Sequence, residues 1–86
     1  MKPRRIRFTR HASEKFGFLK SYGFVLTEES VEDVIANPDR VEERDELTLA
    51  IKSMDDEYGL RVVYRRINDN IVVVAFYSVR RERFNV

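Results

Sequence analysis

The sequence predicts an α+β fold, in which an N-terminal strand and two helices pack on one face of a twisted antiparallel sheet of about four strands. Three observations carry that reading. Apolar residues recur at helical spacing behind Thr caps in the first half, they alternate with period two in the second half, and 86 residues leave room for one core only. Residues 1–86 are accordingly expected to form a single domain.

Each element has its own warrant. Arg5 to Phe8 alternates, with Ile6 and Phe8 on one side and Arg5 and Arg7 on the other, as a short strand does. Thr9 is placed to cap a helix from Arg10 to about Tyr22, with Ala12, Phe16, Leu19 and Tyr22 on one stripe and Gly23 as its stop. Thr27 caps a second helix. Its first turn holds Glu28 and Glu29, favourable at the positive end of the helix dipole, and Val31, Val34 and Ile35 follow before Asn37 and Pro38 end it. Val41 to Glu46 reads as a weak, acidic strand, and Leu47 to Met54 as a stronger alternating one. A turn over residues 55–59 leads to the two strongest strands, Leu60–Ile67 and Ile71–Val79, joined by a two-residue turn at Asn68–Asp69 or at Asp69–Asn70.

That hairpin sorts its side chains into two faces. Leu60, Val62, Tyr64, Ile71, Val73, Ala75, Tyr77 and Val79 fall on one, expected under the helices, with Arg66 as the misfit. The other carries Arg61, Val63, Arg65, Val72, Val74, Phe76, Ser78 and Arg80. Arginines around an exposed Phe76 ring suit stacking on bases and pairing with phosphates.

Composition narrows the chemistry. The chain has no cysteine and one histidine, which exclude a disulfide scaffold and a thiolate metal site and make a protein-only zinc site improbable. No metal or cofactor is expected. No apolar run approaches the length of a membrane span and the basic start lacks a signal-peptide pattern, so a cytoplasmic, non-membrane protein is expected. The net charge of +1 conceals segregation: residues 1–20 hold seven basic residues against Glu14, and residues 28–46 hold nine acids against Arg40 and Arg44. If the two basic ends meet in the fold, they form a patch for phosphate; the alternative is a mixed, solvated surface.

His11 is the candidate proton-transfer group. It stands beside Arg10 and shares a helix face with Lys15, four residues on. An imidazole with neighbouring cations is the minimum equipment for metal-free RNA cleavage to a cyclic phosphate, although a lone surface histidine is more often a plain helix residue. Arg80, Arg81 and Arg83 close the chain with Phe84, either as a phosphate-binding cluster or as a solubilising tail. The carboxylates of residues 28–46 lack metal-ligand spacing and read as a solvated acidic face.

The segments IRFTRHASEKF, TEESVEDVIANPDRVEE, LRVVY and IVVVAFYSVRRERF together resemble a family of small bacterial and archaeal proteins. That family opens with a strand, Arg-His-Ala and a lysine four residues after the histidine, has an acidic second helix ending in Asn-Pro-Asp, and closes on a strand running into Arg or Tyr. In layout it is similar to the BrnT toxins and, more remotely, to the RelE-like toxins, grouped with barnase, EndoU and colicin-type nucleases as metal-independent endoribonucleases. The resemblance implies a RelE-like fold and RNA cleavage. It carries over Arg10, His11, Ala12 and Lys15 for the first motif and Arg80, Arg81 and Arg83 for the last strand end. In RelE-like toxins the acting groups are usually Lys, Arg and Tyr, so the fold analogy does not assign a general base. The near-neutral charge and acidic second helix depart from the strongly basic ribosome-dependent toxins.

The functional expectation is a toxin-type endoribonuclease or RNA-binding protein. His11 would move the 2′-hydroxyl proton, Lys15 and Arg80 would stabilise the phosphorane, and Arg10, Arg61, Arg65, Phe76, Arg81 and Arg83 would hold RNA. RNA or the ribosome and a cognate antitoxin are the partners this implies. Two alternatives belong to other classes: a non-catalytic nucleic-acid or partner-binding module, and a structural homodimer that pairs its basic end with another copy's acidic stretch.

Overall fold

A computed structural model describes residues 5–23 and 25–86. The elements are β1 (Arg5–Phe8), α1 (Arg10–Ser21), α2 (Glu28–Ala36), β2 (Arg40–Arg44), β3 (Leu47–Ser53), β4 (Tyr58–Ile67) and β5 (Asn70–Arg80), followed by a 3₁₀ turn at Arg81–Arg83. Thr9 Oγ1 accepts from the Ala12 N–H and Thr27 Oγ1 from the Ser30 N–H, so both helices start at the expected caps. Gly23, at φ 85°, follows α1 in the left-handed region that glycine adopts without strain.

The sheet has five strands in the order β1-β5-β4-β3-β2, and it is mixed. β2 to β5 form an antiparallel meander, as expected. β1 departs from the expected antiparallel sheet of about four strands: it joins as a fifth, running parallel to β5 with Ile6 opposite Ile71 and Phe8 opposite Val73. A parallel neighbour requires a long connection, and here it runs through both helices and β2, β3 and β4, the helices carrying the chain from β1 to the opposite edge of the sheet. The β2–β3 turn places Asp45 at φ 54° and the β4–β5 turn places Asn68 at φ 59°, which selects Asn68–Asp69 as the hairpin loop. Gly59 lies inside β4 rather than in the preceding turn; a Cβ there would sit 3.0 Å from the Lys52 carbonyl oxygen across the ladder.

Both helices lie on one face. Ala12 from α1 and Val31, Val34 and Ile35 from α2 join Ala50, Leu60, Val62, Tyr64, Ile71, Val73 and Phe76 from the sheet in one core, with Ile6, Phe8, Phe16, Leu19 and Leu26 packed against it. Tyr22, expected on the α1 stripe, is exposed.

Phe76 is the main correction to the expected faces. Val63 pairs with Ala75 but Tyr64 pairs with Val73, so Val74 is an extra residue in β5, a β-bulge. One inserted residue reverses every side chain beyond it. Phe76 therefore turns into the core, fully buried against Phe16 at 4.7 Å between ring centroids, while Ala75, Tyr77 and Val79 turn to the face without helices. The expected RNA-stacking ring is a core residue, and Tyr77 takes its place opposite Arg61.

Candidate functional site

The face of the sheet opposite the helices is its basic side. Register places Arg7 beside Val72, Val72 beside Arg65, Arg65 beside Leu47 and Leu47 beside Arg44, so one row across the sheet carries three arginines. A second row runs Arg40, Ile51, Arg61, Tyr77. Between them lies the row Glu42, Leu49, Val63, Ala75, in which Leu49 and Val63 are buried although no helix covers them. The acidic first turn of α2, with Glu28 and Glu29, belongs to the layer on the other side. The acids of α2 are thus kept across the sheet from these arginines, while Glu42 and Glu46 lie beside them.

Several of these arginines are fixed in place. Arg61, with 12% of its side chain exposed, lies 5.1 Å above the Phe84 ring and 5.9 Å above the Tyr77 ring, and approaches Glu42 at 3.6 Å. Its Nε is buried and has no hydrogen-bond partner among the described residues. Glu42 also accepts from Arg44, and Arg65 donates to Glu46 at 2.7 Å. Arg40 donates to the Phe84 carbonyl, which ties the C-terminal turn to β2. The exposed pair of Arg65 with Glu46 contributes little to stability, so a polyanion can exchange for Glu46 at small cost, whereas Glu42 faces the largely buried Arg61.

The C-terminal arginines separate into different roles. Arg81, expected as an RNA contact, donates to the backbone oxygens of Asp55 and Val86 and holds the turn closed. Arg80 lies on the helix side of β5 and sits 5.6 Å over the Tyr58 ring. Together with Arg61 and Arg83, and with Tyr58, Tyr77 and Phe84, it lines a hollow of about 410 Å³ at the end of the sheet.

His11 is exposed on the first turn of α1, and Arg10 beside it pairs with Glu14 at 3.1 Å. Lys15 reaches over the edge of β5, its Nζ 5.6 Å from the Tyr77 ring and 5.9 Å from that of Phe76. The structure brings Lys15 to the rim of the hollow, but not His11 to Arg80. Thr9, at the start of α1, bonds to the carbonyls of Val73 and Val74; Arg80 lies six residues beyond Val74, a rise of about 20 Å. Of the nine expected site residues, the hollow gathers Arg61, Arg80 and Arg83, with Lys15 beside it.

Sequence reasoning missed Tyr77, Tyr58, Arg7 and Arg44. Arg7 was visible in the alternation of β1, and Arg44 was obscured by the acids around it. Tyr77 could be placed only by knowing the bulge. Three carboxylates elsewhere are held below their ordinary range by the bonds they accept. Asp39 accepts from the backbone N–H and then the hydroxyl of Ser53, Asp55 from the N–H groups of Tyr58 and Glu57, and Asp33 from Lys52 and Asn37. Asp39 and Asp55 brace loops and Asp33 ties α2 to β3, and among the described residues no group of three His, Cys, Asp or Glu could hold a metal ion. Nor is any helix of the described residues long and apolar enough to cross a membrane.

Compared with models of known families, with curated proteins and with solved structures, the chain matches none.

Proposed function

We propose that this protein binds single-stranded RNA on the helix-free face of its sheet, as a member of the RelE-like class that its sequence resembles. The observation that carries the reading is the collection of Arg7, Arg44, Arg61 and Arg65 on that face, with Tyr77 among them and the acids of α2 on the opposite side. Guanidinium groups pair with phosphates and stack on bases, and an aromatic ring accepts any unstacked base. The order of one strand, two helices and a meander agrees with the layout that the resemblance implies. Fluorescence anisotropy of a labelled mixed-sequence RNA tests the proposal. Affinity is expected to fall with salt at a log–log slope of about −3, for some four released counterions; binding that ignores salt would refute it.

A second reading, metal-independent cleavage, is favoured by the approach of Lys15 to Tyr77, which brings a helix cation to the rim of the arginine hollow. His11, one turn back, would exchange the 2′-hydroxyl proton while Lys15 stabilises the phosphorane. Arg80 would hold a flanking phosphate rather than the reacting one. Incubation with RNA in EDTA decides it: cyclic-phosphate ends made by the wild type and lost in His11→Ala are expected, and intact RNA after incubation with the wild type excludes cleavage.

A further inference from the structure

The hollow at the end of β5 gathers into one place two guanidinium groups with no acidic partner among the described residues. Arg80 and Arg83 are exposed and enter no ion pair among the described residues, whereas Arg44, Arg61 and Arg65 each face a glutamate. The third arginine of the hollow, Arg61, contributes the buried Nε that lacks a hydrogen-bond partner among the described residues. Two uncommitted cations exceed what one internal phosphodiester, with a single negative charge, needs. They match a terminal phosphomonoester, which carries about −1.5 to −2 at neutral pH and offers three acceptor oxygens.

Size and lining agree with one nucleotide. At about 410 Å³ the hollow lies in the range of small-molecule sites, about 300–1,000 Å³. Tyr58, Tyr77 and Phe84 supply faces for a base beside the arginines. Lys15, 5.6 Å from the Tyr77 ring, adds a cation beside the hollow.

We infer that this hollow captures the phosphorylated end of a single-stranded RNA, the terminal monoester on Arg80 and Arg83 and the terminal base against Tyr77 or Phe84. The inference deepens the RNA-binding reading and adds end recognition to it. It places the protein after a reaction that leaves a phosphate on a chain end, such as hydrolytic cleavage or end phosphorylation.

The test compares one hexameric RNA in three forms, with a 5′-phosphate, with a 3′-phosphate and with hydroxyls at both ends, and adds adenosine 5′- and 3′-monophosphate as small probes. One phosphorylated form is expected to bind about tenfold or more tightly than the hydroxyl form, since charge-assisted bonds of this type carry such differences. Which form wins identifies the end. In Arg80→Ala/Arg83→Ala that gap is expected to close while the melting temperature stays that of the wild type, both side chains being exposed. Equal affinity for all three RNAs would overturn the inference and leave RNA binding by the face intact. A monophosphate that binds and perturbs the Tyr77 ring resonances, with no RNA form binding tighter than the monophosphate, would sustain the hollow and sink the wider face. No binding by any probe would overturn both.

Discussion

Phe76 and Tyr77 are neighbours in the chain with opposite fates, and the bulge at Val74 decides which is structural. Phe76→Ala is expected to cost about 3–5 kcal/mol in urea unfolding, as for a fully buried aromatic ring. Tyr77→Ala leaves a half-buried site on the basic face, so it is expected to keep most of the stability and to lose about tenfold in RNA affinity through lost stacking. Arginine positions were legible where alternation is regular, as at Arg61 and Arg65. Phe76 was not, because Val72, Val73 and Val74 are alike and nothing in their chemistry marks one as the extra residue. A cluster of identical β-branched residues permits either register, and only the fit of Phe76 into the space beside Phe16 chooses.

At the scale of the element, the helices were legible down to their caps. Local hydrogen bonds fix a helix end, so Thr9 and Thr27 could be read from sequence alone. Thr9→Ala is expected to destabilise by about 1 kcal/mol in thermal or urea unfolding. Gly17 sits inside α1 with open space where a Cβ would go. Gly17→Ala is therefore expected to stabilise by about 0.5–1 kcal/mol, and a loss instead would show that the α1 backbone is not regular there. The parallel pairing of β1 with β5 was not legible. Ile6 and Phe8 alternate with Arg5 and Arg7 in the same way whether the neighbour runs with them or against them, and the partner lies more than sixty residues away.

Across the whole molecule, the sheet stands between the acidic helix α2 and an arginine-rich bare face. Charge runs in the sequence announced segregation, but only the topology shows that Arg7 of β1 and the later arginines share a face, through the pairing of β1 with β5. The acid side of the pH–stability curve follows from three hydrogen-bonded carboxylates. Asp33, Asp39 and Asp55 lie below the ordinary value of 3.8 in the folded chain, so their stabilisation is complete above that value and is lost as pH falls through the lowered folded values. These groups are expected to leave the melting temperature level from neutrality to about pH 5 and to lower it below about pH 4, with a shallower fall in Asp39→Asn. The most direct measurement for the protein as a whole is anisotropy of a labelled single-stranded RNA with the wild type, with Arg44→Ala/Arg65→Ala on the bare face, and with Lys20→Ala/Arg66→Ala on the helical side. Both variants remove two positive charges. Binding by the wild type, lost about tenfold or more in the bare-face variant and nearly kept in the helical-side variant, is the expected result. Equal losses in the two variants, or no binding by the wild type, would contradict the assignment of that face to RNA.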